Sequence, residues 1–273
     1  MKILVFAQYD WSFNNLKPAL KGLNYTRFVQ KKDKKTYSPQ LDIKKYDLVI
    51  TCEPHNPFYT ILYGMVKNKL PILAMQQGIY WNDKVNPHAT WKFNRYLLWG
   101  KMTKECCDRY PKLKGKTIIT GLPAYDGYRG IQTKDEGYTL ILEDRFNRKV
   151  LQNSIRKESG RIVKQEHPAN IKHKKGKTQE LIRCASKVIF SATSAGFYAM
   201  LMHKPVRIIK PSQIIPGNKY LHYKFCKAFG SEKYISNNDE YLKYAITGNM
   251  RKESASDQVR KIISEYGNFE INE

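Results

Sequence analysis

Two series of short apolar runs, alternating with helical stretches and divided by a glycine-rich joint, constrain this chain more than any other feature. In the first series, residues 3–6, 46–51, 70–75, 96–99 and 117–120 read as buried strands. Between them, 14–20 reads as a weak helix. The segment 57–67 reads as a stronger one, with Phe58, Ile61, Leu62 and Met65 near helical spacing, and 101–110 as a third. The second series starts afresh with strands at 138–142, 161–164, 188–190 and 206–209. Helices are predicted at 148–159, 178–185 and 195–202, and two more at about 238–266. Continuous apolar runs of this length suit strands covered on both faces, and their alternation with helices predicts parallel sheets. The joint carries Gly121, Pro123, Gly127, Gly130 and Gly137, as a linker should. The expectation is an α/β chain of two Rossmann-like, doubly wound domains facing across a cleft. The first spans 1–120, a linker 121–137, and the second 138–273 with the terminal helices. Such sheets bind ligands at the carboxyl ends of their strands.

The chain has 273 residues, 41% of them hydrophobic, which is enough for real cores. No apolar run approaches the ~20 residues of a membrane helix. The opening apolar stretch, 3–7, is shorter than the roughly 7–15 residues of a secretory signal and reads as a strand. Cys52, Cys106, Cys107, Cys184 and Cys226 are odd in number and lack Cys-x-x-Cys spacing, so neither a disulfide framework nor a zinc site is expected. These features fit a cytoplasmic protein. With 48 Lys+Arg against 24 Asp+Glu, the net charge of +24 favours a polyanionic partner. Nucleic acid, an anionic surface polymer or an anionic membrane face would satisfy it, and a solvated lysine-rich surface accounts for part of it.

Two strand-end turns stand out. Lys164-Gln165-Glu166-His167-Pro168 follows a predicted strand; His167 can donate to a phosphate oxygen, Pro168 stiffens the turn, and Lys164 adds charge. Ser191-Ala192-Thr193-Ser194-Ala195-Gly196 lies between a strand and a helix, where hydroxyls and N–H groups suit an anion. Ordinary N-capping by Ser191, Thr193 or Ser194 explains the second turn equally well. Together the two turns could grip a nucleotide diphosphate.

These residues, with Thr120-Gly121-Leu122-Pro123-Ala124-Tyr125-Asp126 before them and Lys204-Pro205-Val206 after, resemble the second half of GT-B glycosyltransferases. The likeness is closest to the CDP-glycerol glycerophosphotransferases and related capsule-polymer transferases. It extends over about 45–210, with Gln76-Gln77-Gly78 where those proteins often read Gln-His-Gly and Leu98-Trp99-Gly100-Lys101 after it. The resemblance implies a CDP- or UDP-type donor, used as a substrate with no separate cofactor. It implies donor contacts from the turns bearing Glu166 and His167 and bearing Ser191, Thr193, Ser194 and Gly196, to which Lys164 and Arg145 add positive charge for the leaving diphosphate. There is no Asp-x-Asp motif for a metal, so stabilisation of the leaving diphosphate falls to these groups.

An inverting transfer also needs a base for the acceptor hydroxyl. Asp10, Glu53 and Asp83 are the candidates, each following a strand or a motif of the first half; His55 is a further possibility. Acceptor contacts are expected from Lys31, Lys32, Lys34 and Lys35, from Lys172, Lys174 and Lys175, and from Trp81. Aromatics amid positive charge, including Tyr37, Tyr80, Trp91 and Tyr128, suit bases or sugar rings. The leading reading is a metal-independent transferase with a polyanionic acceptor, slightly favouring DNA with hydroxylated bases. One alternative is a transferase for an anionic cell-surface polymer or lipid-linked glycan. Others are a non-catalytic nucleic-acid-binding protein, supported by Gln77 in place of His, and a nucleotide-sugar epimerase.

Overall fold

A computed structural model describes residues 1–29, 41–52, 57–67, 69–76, 93–143, 148–166, 177–191, 193–210, 229–237, 239–247 and 253–266. The chain divides into two compact units: the first runs to Asp126 and takes in the chain again from Ile246, and the second runs from Gly127 to Ala245.

The first unit is built on β1 (Ile3–Phe6), β2 (Tyr25–Phe28), β3 (Leu48–Thr51), β4 (Ile72–Met75), β5 (Arg95–Leu98) and β6 (Thr117–Ile119). They form one sheet in the order β2-β1-β3-β4-β5-β6, every pair parallel. β1, β3 and β4 are buried along their whole length, as their unbroken apolar runs predict. Helices α1 (Asp10–Leu16), α2 (Pro57–Val66) and α3 (Lys101–Cys107) follow β1, β3 and β5.

Two local expectations shift. Helix α1 begins at Asp10, four residues before the predicted 14, and passes into a 3-10 turn at Lys17–Leu20. Pro18, which has no N–H to continue an α-helical ladder, lies in that turn. Strand β2 is absent from the sequence reading. Tyr-Thr-Arg-Phe is no apolar run, and the strand sits at the sheet edge with only partial burial. Pairing with β1, not local hydrophobicity, makes it a strand.

The chain's tail also departs from expectation. The sequence places 138–273 in the second domain, but helix α8 (Ala255–Tyr266) belongs to the first unit. Val259, Ile262, Ile263 and Tyr266 recur at helical spacing and join the same core as Ile3, Val5 and Leu16. Arg260 donates to the carbonyls of Pro18 (2.8 Å) and Ala19 (3.2 Å). At the N-terminal end of the helix, the Asp126 carboxylate accepts the N–H groups of Ala255 (3.0 Å) and Ser256 (2.8 Å). An apolar stripe needs an apolar partner, and the tail finds it beside α1.

The second unit holds β7 (Tyr138–Leu142), β8 (Arg161–Gln165), β9 (Lys187–Phe190) and β10 (Val206–Ile208) in the order β10-β9-β7-β8, all parallel. Helices α4 (Arg148–Ile155), α5 (Lys177–Cys184) and α6 (Gly196–Leu201) follow β7, β8 and β9, and α7 (Asp239–Leu242) lies beyond β10. Ile141, Leu151, Ile189 and Ile209 cluster in its core. Beside them sits a buried charge cluster. Glu158 takes Arg207 Nη1 at 2.9 Å, Lys187 Nζ at 2.9 Å and the Tyr234 hydroxyl at 2.8 Å. Arg207 Nη2 donates to the Ser154 carbonyl at 3.0 Å. The Glu158 and Arg207 side chains are 5% and 6% exposed, so the pair is desolvated and held by its geometry.

The end of the glycine-rich joint is fastened to the second unit. Lys134 and Glu136 donate their N–H groups to the carbonyls of Arg183 and Cys184. The ammonium of Lys204, from the Lys-Pro-Val segment, donates to the Lys134 carbonyl at 2.7 Å. Gly137 supplies the positive φ (+72°) that leads into β7. Cys52, Cys106, Cys107 and Cys184 are buried and form no disulfide among the described residues. No helix among those residues is long and apolar enough to cross a membrane.

Candidate functional site

Each sheet reverses its direction of growth once. From β1 the chain goes outward to β2 and returns on the other side of β1 as β3; from β7 it goes to β8 and returns as β9. Such reversals part the loops at the strand ends and open a crevice there. The two candidate positions are therefore the carboxyl ends of β1 and β3 in one unit and of β7 and β9 in the other.

In the second unit the hydroxyl turn falls at this position. Ser191 follows β9, is 1% exposed, and donates its hydroxyl to the Ile209 carbonyl at 3.1 Å. The Thr193 hydroxyl accepts the Ala195 N–H at 3.3 Å, and the Thr193 N–H donates to the Ser191 carbonyl at 2.6 Å. Gly196 and Phe197 donate their N–H groups to the carbonyls of Thr193 and Ser194. Much of the turn's polarity thus shapes the turn itself; Ser194 in it is half-buried. α6 is only six residues long and its N-cap, Ala195, makes no side-chain capping bond, so little dipole reinforces the turn. Gly196 has a packing reason: a Cβ there would lie 2.3 Å from the Phe190 ring.

Across the reversal, Glu143 follows β7. It is 6% exposed and its N–H donates to the Gln165 carbonyl at 2.9 Å. The sequence reading passed over Glu143, although it stands directly after an apolar run, the same signal that singled out Asp10. Lys164 lies on β8, one strand outward, and Glu166 just beyond it; both are exposed. Arg145, His167, Lys172, Lys174 and Lys175 lie outside the described residues. Tyr128 meets Tyr198 of α6 edge-to-face, with centroids 4.6 Å apart. Burial, and then Tyr128, push the Tyr198 phenol up to about 12. Tyr128 therefore serves packing.

In the first unit, Asp10 stands at the start of α1 beyond β1, and Arg27 of β2 meets it at 2.8 Å. Arg27 Nε also donates to the Ala7 carbonyl at 3.0 Å, and its guanidinium lies 4.6 Å from the centre of the Phe13 ring. Asp10 is thus held by an arginine that is itself anchored, while its own side chain is 63% exposed. The Gln76 side chain is buried between the ends of β4 and β5, accepting the Trp99 N–H at 2.8 Å. Glu53, Asp83, Trp81, Lys31, Lys32, Lys34 and Lys35 lie outside the described residues, as does Gln77. Among the described residues, no group of three or more His, Cys, Asp and Glu could hold a metal ion.

Two parallel α/β units in series, each reversing at its first strand, make this a fold of the GT-B type. It is similar to the wall teichoic acid polymerase TagF in a form soaked with CDPG, with a TM-score of 0.54 and 11% identity over 98% of this chain and 90% of that one. It is also similar to the UDP-GlcNAc 2-epimerase of Methanocaldococcus jannaschii in complex with UDP-GlcNAc and UDP. There the TM-score is 0.54 and the identity 10%, over 97% of this chain and 99% of that one. A second structure of that epimerase gives a TM-score of 0.56 at 10% identity, covering 97% of this chain and all of the other. No family model matches the chain. No curated protein matches it either. At these identities the likeness is one of fold.

Proposed function

We propose that this chain is a transferase that takes a group from a nucleotide-activated donor and passes it to a hydroxyl of a polyanionic acceptor. The observation that carries the reading is the coincidence of the Ser191–Gly196 turn with the reversal between β7 and β9, where the fold offers a ligand crevice. The similar solved structures support it: one was soaked with CDPG and another holds UDP-GlcNAc and UDP.

In this reading the donor diphosphate lies against Ser194, Thr193 and the residues after β8, with Lys164, His167 and Arg145 supplying positive charge. Glu166, Ser191 and Gly196 shape that site. The acceptor oxygen forms its new bond to the transferred group as the bond from that group to the diphosphate breaks. The hydroxyl proton passes to a carboxylate base. Asp10 is the described candidate, with Glu53 and Asp83 beside it in the sequence argument. The leaving diphosphate keeps the electron pair, which the cationic and hydroxyl groups stabilise. The +24 charge supports a polyanionic acceptor, and the likeness to a teichoic acid polymerase supports a surface polymer over DNA. Lys31, Lys32, Lys34, Lys35, Lys172, Lys174, Lys175 and Trp81 are the proposed acceptor contacts.

Thermal melting with UDP, CDP, CMP and GDP tests the donor site. A ligand at about 100 times its Kd stabilises a one-site protein by about 2.7 kcal/mol. One nucleotide is expected to raise the Tm, and His167→Ala to abolish the rise. Melting curves unmoved by every nucleotide would remove the donor site and leave the non-catalytic binding protein as the better reading. Conversion of a UDP-sugar without any acceptor would make the chain an epimerase.

A further inference from the structure

The carboxyl end of β1 carries a feature that the proposed transfer does not use. Tyr9 and Trp11 flank Asp10, and their rings lie nearly parallel, 14° apart with centroids 5.8 Å from each other. Tyr9 is 44% exposed and Trp11 53%. The two residues belong to a well-anchored turn. Ser12, one residue on, is fully buried and donates its hydroxyl to the Tyr9 carbonyl at 2.9 Å, and Leu16 of the same helix is in the core. The end of β1 is tied on both sides, since Ala7 N–H reaches the Phe28 carbonyl and Cys52 N–H reaches the Phe6 carbonyl. Single exposed aromatics need no explanation. A rigidly mounted pair at the reversal of the sheet does, because both rings forgo the burial that stabilises a fold.

We infer that the Tyr9–Trp11 pair is a stacking platform for one sugar ring of an anionic glycan. The inference deepens the proposed function by naming the ring-bearing part of its acceptor. An aromatic face accepts the C–H face of a pyranose and leaves the hydroxyls at the ring edge to seek acceptors. Asp10 is such an acceptor, between the two aromatic residues in the sequence and held by Arg27 at 2.8 Å. A pyranose edge carries several hydroxyl donors for that carboxylate, more than the edge of a nucleic-acid base, and the chain's +24 charge attracts the glycan's anionic groups.

The test is equilibrium binding to three probes: a heparin-derived hexasaccharide, inorganic polyphosphate without rings, and an oligothymidylate of similar charge. Trp11→Ala is expected to weaken the hexasaccharide by about tenfold and Trp11→Phe to restore most of the loss. Polyphosphate binding should stay unchanged, because no charge is altered. An equal loss for all three probes, no loss for any, or no hexasaccharide binding by the native chain would overturn the platform. A larger loss for the oligothymidylate would make it a base-stacking site and overturn the glycan. Nucleotide-dependent melting of the same variants separates the two claims. Stabilisation by nucleotide alongside unaltered glycan binding removes the platform and spares the transferase. Tryptophan-dependent glycan binding with no nucleotide effect does the reverse.

Discussion

The two units solve the same problem with different interiors. The first is closed by apolar contact: strands buried on both faces, and a returning helix whose stripe completes the core. The second is smaller and supplements its apolar cluster with the Glu158–Arg207–Lys187–Tyr234 cluster. Their strand ends differ in the same sense. At β9 the hydroxyls turn inward to backbone groups, whereas at β1 two rings and a carboxylate face outward. A turn that spends much of its polarity internally is held in one shape. An open amphipathic end suits part of a larger ligand.

The comparison can be broken most directly at Glu158. Glu158→Ala leaves the Arg207 charge buried without its partner and should destabilise the second unit by about 3–5 kcal/mol in denaturant unfolding. A loss well under 1 kcal/mol would mean that the apolar cluster suffices. Acid tests the same group. Burial pushes the Glu158 carboxyl up, but hydrogen bonds from Lys187 and Tyr234 and the charge of Arg207 outweigh it and hold the carboxyl below its ordinary 4.5. Its contribution is therefore present above pH 4.5 and fades as pH falls through the lower folded value. Glu158→Ala should flatten that part of the stability profile.

Gly196→Ala comes next. The added carbon meets a ring that is 1% exposed, so the expected loss is about 1–3 kcal/mol. A neutral result would show that Phe190 can move, and that the turn is less rigid than its hydrogen bonds imply. Asp126→Asn weakens the clasp on α8 and should cost about 1 kcal/mol. Hydrogen exchange would locate that loss in α8 and leave β7–β10 unchanged. Trp11→Ala should alter unfolding by no more than about 0.5 kcal/mol, as an exposed side chain away from any core. A larger loss would make the ring structural and weaken the contrast between the strand ends.

The candidate site was only half legible. Ser191, Thr193 and Ser194 could be singled out because a hydroxyl-rich turn directly after an apolar run is a local pattern. The Thr193 bond to the Ala195 N–H is local and of the capping kind the sequence offers, whereas the Ser191 bond was not legible, because Ile209 lies on a segment 18 residues away. Glu143 carried the same local signal and was missed only because no motif surrounded it. Tyr9 and Trp11 gave no sign of being exposed, since aromatic residues beside a strand most often pack.

What the residues determined by themselves were the elements whose signal is local. Buried strands show as apolar runs, α8 as an apolar stripe, and the joint as a cluster of glycines, because period and backbone freedom are properties of neighbouring residues. Tertiary structure decided the partners. It made Tyr25–Phe28 a strand by pairing it with β1, brought the tail back to the first unit, set Arg27 on Asp10, and buried Glu158 against Arg207. Periodicity states which face of a segment must be covered, but not which distant segment covers it. That choice depends on long-range contacts whose energies are compared only in the folded chain.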